Sequence, residues 1–166
     1  VIASNSGRAI YALNTVRDAK FRNNTFYGGG QTIRFDEPLL GSNEFTSNIV
    51  YSRSVGSPSA TGCQTVWMNG TSNLVSNGNL FFTPSYSSSP GDRSLSWCCY
   101  GSSKPGAGQG WHQRTGQDAN SVYGSPLFTD STFASFDPTL RPGSRAIGAA
   151  LGGGDAGAIP YGPDLV

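Results

Sequence analysis

Charge is scarce in this sequence. Asp, Glu, Lys and Arg make up 13% of its 166 residues, and the formal net charge is +1. No basic run or acidic tail occurs, so nucleic acids and anionic membrane surfaces are poor partners for it. Long apolar runs are missing too. No stretch reaches the roughly 18 residues that a membrane-spanning helix needs. Histidine is nearly absent: His112 is the only one, and it lies far from Cys63, Cys98 and Cys99. A zinc-type ligand set is therefore not in view, and no metal is expected. The odd cysteine count fits free thiols, a Cys63 bridge to either neighbour of the adjacent pair, or a vicinal bridge between Cys98 and Cys99. There is no leader segment and no initiating Met. The chain opens at Val1, which reads as a processed chain, an excised domain or a fragment.

Glycine, by contrast, is plentiful at 23 residues, and Ser, Thr and Asn fill much of the rest. Such a composition on its own points toward disorder. Yet 36% of the residues are hydrophobic and 11% aromatic, and they fall in short runs bounded by Gly, Asn and Ser. That is the pattern of strands in a folded, loop-rich, all-β chain of one domain.

Two phrases repeat. Asn24-Thr25-Phe26-Tyr27, Asn48-Ile49-Val50-Tyr51 and Asn79-Leu80-Phe81-Phe82 align at steps of 24 and 31 residues. Ahead of them, "AIYAL", "TIRF" and "TVWM" align at Ile10, Ile33 and Val66 at steps of 23 and 33. The two motifs stay in phase while the segments between them vary. Repeats of this length signal stacked units, and no window carries the i, i+3, i+4, i+7 spacing of helical repeats. The expectation is a parallel β-helix of about four to five coils, its corners stabilised by stacked asparagines that tolerate left-handed backbone. An antiparallel sandwich is the alternative, but it gives no reason for two motifs held in phase. "SRSVGSPSATG" (52–62) and "TPSYSSSPGDRS" (83–94) read as loops bulging from the coils. Residues 1–109 form the coils, and 110–166 the terminal coil and an irregular cap of the same domain.

From Gly110 the wording changes. Trp111, Gly116-Gln117-Asp118 with Ser121, Pro126-Leu127-Phe128, Leu140-Arg141-Pro142-Gly143-Ser144 with Ala146-Ile147, and Asp155-Ala156-Gly157-Ala158 follow one another. This run, about residues 110 to 159, resembles the ending of secreted right-handed parallel β-helix proteins of the pectate-lyase-like superfamily. The resemblance implies a right-handed β-helix, an extracellular setting and a polysaccharide as partner. It also implies that "GQDANS" and "RPGSRAIG" pack the end of the coil stack, so Asp118 is structural rather than a catalytic acid. Among lyases, glycosidases, epimerases and binding modules it does not choose.

The residues themselves speak to chemistry. A uronate lyase needs a base and often calcium held by several acids, and a glycosidase needs two facing carboxyl groups. With ten carboxylates in all, no such set stands out; Lys20 and Lys104 are isolated, and His112 reads as structural. No catalytic residue is named, and no cofactor is expected, calcium being the open alternative. Alternation along the strands puts Ile10, Ala12, Ile33, Phe35, Val66 and Met68 inward. Tyr11, Arg34 and Trp67 then form one outward column, with Leu13, Asp36 and Asn69 beside it. Aromatic rings stack on pyranose faces while Arg, Asp and Asn bond hydroxyls. Tyr11, Arg34, Asp36, Trp67 and Asn69 are therefore the candidate ligand-binding residues. "SLSWCCYG" (94–101) is a candidate fourth strand, with Leu95 and Trp97 inward and Cys98 and Tyr100 flanking, or equally part of a loop cradling the groove. The Asn-x-Thr sequons at Asn23 and Asn69 read as by-products of asparagine-rich corners.

The expected function is non-catalytic polysaccharide binding, on plant cell-wall glycan such as xylan or pectin, by a secreted module linked to a catalytic domain of a larger protein. The alternatives are a lyase or glycoside hydrolase fragment, and a structural solenoid subunit that stacks end to end.

Overall fold

A computed structural model of the chain describes residues 1–3, 7–29, 32–53, 66–68, 70–82, 98–100 and 115–162; for Trp67 and 98–100 it describes the backbone. The chain is all-β. Its strands are β1 (Ile2–Ala3), β2 (Ile10–Ala12), β3 (Lys20–Arg22), β4 (Thr25–Gly28), β5 (Ile33–Phe35), β6 (Asn43–Thr46) and β7 (Ile49–Ser52). They continue as β8 (Val66–Met68), β9 (Leu74–Asn77), β10 (Leu80–Phe82), β11 (Cys98–Tyr100), β12 (Val122–Tyr123), β13 (Phe128–Asp130) and β14 (Asp137–Leu140).

Three sheets are parallel throughout. Sheet I has the order β2-β5-β8-β11, sheet II β3-β6-β9, and sheet III β1-β4-β7-β10-β12. Successive strands visit the sheets in a fixed rotation, III, I, II, from β1 to β11. From β1 to β8 each strand therefore pairs with the strand three places later in the chain, which is the origin of the repeat in the sequence. The register matches the two aligned phrases: Ile10, Ile33 and Val66 are partners in sheet I, and Thr25, Ile49 and Leu80 in sheet III.

The space between the sheets is filled by one layer of side chains from β2 to β10 and β12. Phe26, Ile33, Phe35, Phe45, Val50, Val66, Met68, Leu74 and Phe81 are buried there, with Ile10, Ala12, Phe21 and Tyr123 packed at the margin. Phe26 and Phe45 stack at 5.7 Å between ring centroids, and Phe21 meets Phe35 at 6.0 Å. Each large apolar side chain taken fully out of water here contributes about 2–3 kcal/mol, the main stabilising term of the stack.

Short strands require tight corners. Between sheets II and III the residue just before each repeated asparagine is left-handed: Asn23 (φ 52°), Ser47 (φ 58°) and Gly78 (φ 64°). The expectation had placed that conformation on the asparagine itself. The asparagine is instead the acceptor that closes the corner. Asn24 N–H donates to Asn48 Oδ1 and Asn48 N–H to Asn79 Oδ1, both at 2.9 Å, and Asn79 N–H donates to Ser121 Oγ at 2.8 Å. The Nδ2 groups of Asn48 and Asn79 reach back to the carbonyls of Phe21 and Phe45. Each amide thus satisfies main-chain groups of neighbouring strands, and Asn48 and Asn79 are wholly buried. A second polar corner was not foreseen. Asn43 Oδ1 accepts from Ala19 N–H at 3.0 Å, and Asn73 Nδ2 donates to the carbonyl of Leu39 at 2.9 Å.

The C-terminal third departs from the expected cap. "GQDANS" does extend the stack: Asp118 N–H bonds the Ser76 carbonyl at 2.7 Å, Gln117 Oε1 accepts from Ser76 N–H at 2.8 Å, and β12 joins β10. The antiparallel pair β13–β14 and the segment after it, however, lie along the flank, against the outer face of sheet III. There Phe128, Leu140, Ala146 and Ala156 bury Tyr27, Ile49, Tyr51 and Leu80. The reason is that sheet III is apolar on both faces and must be covered on both. Gly157 packs directly onto this face. A Cβ on it would sit 2.6 Å from Ile49 Cδ1 and 2.9 Å from Thr25 Oγ1, and its φ is +99°.

Candidate functional site

Sheet I carries in register the column expected from the repeat. Tyr11 pairs in register with Arg34, and Arg34 with Trp67. Ile33 and Phe35, on either side of Arg34, are buried in the core, which turns Arg34 and its register partner Tyr11 to the other face. Tyr11 is 47% exposed and Arg34 and Asp36 are partly exposed. The column is solvent-facing at its first two positions.

These side chains are tied together. Asp36 sits just past the end of β5, where its main-chain N–H bonds the Ala12 carbonyl at 3.0 Å. Its two carboxylate oxygens are divided: Tyr11 Oη donates to Oδ2 at 3.0 Å, and Arg34 Nε donates to Oδ1 in a charge-assisted bond. The Arg34 hydrogen bond holds the Asp36 carboxyl below the usual carboxylate range. Partial burial opposes it, and the Tyr11 hydroxyl and the charges of Arg34 and Arg8 add to it. Two guanidinium groups also lie over the Tyr11 ring, Arg8 with Cζ 4.5 Å from the centroid and Arg34 at 5.7 Å. Arg8 was not foreseen. It precedes β2 in a segment where no repeat fixes position, so nothing in the sequence marked it as a neighbour of Tyr11.

The arrangement presents a planar aromatic ring, a rigid set of N–H donors and an ionised carboxylate on a flat parallel sheet. Such a surface can bond vicinal hydroxyl groups and offer apolar ring area to a flat ligand.

The remaining expected residues are placed as follows. Trp67 occupies the third position of the column by register. Asn69 lies outside the described residues, as do Cys63, Leu95, Trp97, Lys104, Trp111, His112 and most of both inserted loops. Leu13, the first-rung counterpart of Asp36, is 61% exposed. β11 is indeed the fourth strand of sheet I, but one residue out of the expected phase: Cys99, not Cys98, pairs with Trp67, and Cys98 pairs with Val66. Ser94 and Ser96 alternate with Leu95 and Trp97 and favoured the other phase, but Cys98-Cys99-Tyr100, the residues that form the strand, are apolar in both.

Other acids are committed elsewhere. Asp118, 2% exposed, accepts hydrogen bonds from Asn79 Nδ2 (2.8 Å), Ser76 Oγ (2.7 Å) and Ser121 Oγ, and so closes the asparagine ladder. Glu44 bonds Arg22 Nε at 2.6 Å and lies 3.8 Å from Lys20 Nζ on the outer face of sheet II, so Lys20, isolated in sequence, is paired in space. Asp130 and Asp137 face each other across β13–β14, each held below the usual range by local donors, Ser135 and Thr132 for the first and Thr139 for the second. Among the described residues, no three His, Cys, Asp or Glu side chains gather to hold a metal ion, and no helix is long and apolar enough to cross a membrane.

Comparison with protein-family models, with curated proteins and with solved structures gives no match to this chain.

Proposed function

We propose that the chain is a right-handed parallel β-helix whose sheet I binds polysaccharide without turning it over. The rotation of strands through three parallel sheets supports the helical reading. The observation that carries the functional one is the single register column Tyr11–Arg34–Trp67, with Asp36 bonded to two of its members. Parallel strands repeat at about 4.8 Å, so the column offers regularly spaced contacts along one line, as an extended glycan does. Arg34 and Asp36 then bond sugar hydroxyls, and Tyr11 and Trp67 supply ring faces. Asn69 completes the proposed set.

By its resemblance, the ligand class is plant cell-wall glycan such as xylan or pectin, the setting is extracellular, and the module acts beside a catalytic domain in a larger protein. The test is retention on insoluble glycans. Trp67→Ala and Arg34→Ala each weaken retention by about tenfold or more, the loss of one good contact, in protein that stays folded at the assay temperature. Wild-type-like retention by both variants removes this reading.

A further inference from the structure

Arg22, Thr46 and Asn77 share one register column at the end of sheet II. Each is followed by the left-handed corner residue and then by the ladder asparagine. The third rung alone among these joins an asparagine to a glycine there. The Asn77 side chain folds back along its own main chain. Its Oδ1 accepts the N–H of Gly78 at 3.0 Å and the N–H of Asn120 at 2.8 Å. This holds Cγ, the atom bonded to Oδ1, beside the Gly78 nitrogen, and the two donors draw electron density from the same carbonyl group. Gly78 has no side chain to hinder approach to its nitrogen. The corner is also fixed from outside, since a Cβ at 78 would lie 2.7 Å from Leu151 N.

We propose that Asn77 is a site of spontaneous covalent modification, closing on the Gly78 nitrogen to a succinimide that opens to aspartate and isoaspartate. The Gly78 N–H gives its proton to hydroxide, and the nitrogen forms a bond to Asn77 Cγ. The Cγ–Nδ2 bond breaks, and Nδ2 takes a proton from water and leaves as ammonia. Water then adds to one of the two ring carbonyls. Opening on one side gives aspartate at 77, and opening on the other gives isoaspartate, with one more methylene in the main chain. One water is consumed and one ammonia released, with no oxidation or reduction.

The consequence is structural. Asn77 also accepts Ser47 N–H on its main-chain carbonyl at 3.1 Å, and through Asn120 it anchors the turn that leads into β12. A lengthened main chain and a new carboxylate, next to the Ser76 that bonds buried Asp118, loosen the terminal rung.

The experiment is peptide mapping by mass spectrometry of the folded chain, incubated at neutral and at mildly alkaline pH, beside a sample unfolded in urea. The folded chain accumulates the acid form at 77, faster at the higher pH, and outpaces conversion at Asn120 by about tenfold or more, equivalent to about 1.4 kcal/mol of barrier. The melting temperature falls over the same period, and Asn77→Gln abolishes that fall because the longer side chain cannot close the five-membered ring. If Asn77 stays intact in the folded chain while the urea sample converts, the fold protects the site and the proposal is overturned. Mapping of the wild-type chain decides this even if Asn77→Gln does not fold.

Discussion

Tyr11 Oη and Asp36 Oδ2 are 3.0 Å apart, a hydrogen bond that joins the first strand of sheet I to the end of the second. Arg34 holds the other oxygen of the same carboxylate. With these two donors the folded chain keeps Asp36 ionised below its ordinary value of 3.8, so the unfolded chain binds the proton more readily. The stability from this contact is therefore fully present above the ordinary value and is lost as pH falls through the depressed one. Asp36→Asn flattens part of the acid limb of a melting-temperature profile. The gap between wild type and variant shrinks as pH drops from about 5 toward 2. Asp130 and Asp137, also depressed, keep some slope in both proteins. A constant gap across that range contradicts the assignment.

Asn48 is the middle of the ladder, its amide shared between Asn24 N–H, Phe21 O and Asn79 Oδ1. Asn48→Ala leaves buried main-chain groups unsatisfied and destabilises the chain by about 3 kcal/mol in urea unfolding. Asn24→Ala, at the exposed end of the ladder, costs less than about 1 kcal/mol. Equal effects refute the account of the corner.

Gly157→Ala drives a methyl group into Ile49 and Thr25 at a left-handed position, and costs about 2–4 kcal/mol. Gly154 has nothing within 4 Å of its added Cβ, so Gly154→Ala is neutral within about 0.5 kcal/mol. The pair of melting curves checks whether the C-terminal segment is bound to sheet III in solution.

Asp118→Ala removes the acceptor of Asn79, Ser76 and Ser121. It lowers stability by about 2–4 kcal/mol. At a temperature where the variant is folded, its glycan retention equals that of wild type, as measured by pull-down. Lost retention in a folded variant would move Asp118 into the binding site.

The first three rungs of sheet I were legible in the sequence because Ile10, Ala12, Ile33, Phe35, Val66 and Met68 are all apolar, and alternation then fixes what lies between them. Tyr11, Arg34 and Asp36 fell together for that reason. Sheet III was legible as strands but not as a doubly covered sheet. Phe26-Tyr27, Ile49-Val50-Tyr51 and Leu80-Phe81-Phe82 are consecutive apolar residues, the pattern of strands buried on both faces, which implies a covering layer that the repeat alone does not. The left-handed residue before each ladder asparagine escaped notice because it is Asn, Ser and Gly in turn, a conformation rather than a residue type being repeated. Arg8, the Asn43–Asn73 corner and the Lys20–Glu44 pair lie outside the two aligned phrases, where sequence distance carries no information on proximity.

The most direct measurement is affinity on a panel of insoluble and soluble cell-wall glycans for wild type, Arg34→Ala and Trp67→Ala, with folding checked by melting temperature. The account predicts binding to at least one glycan and a loss of about tenfold or more in each variant, both still folded at the assay temperature. No binding by wild type, or undiminished binding by both variants, contradicts it.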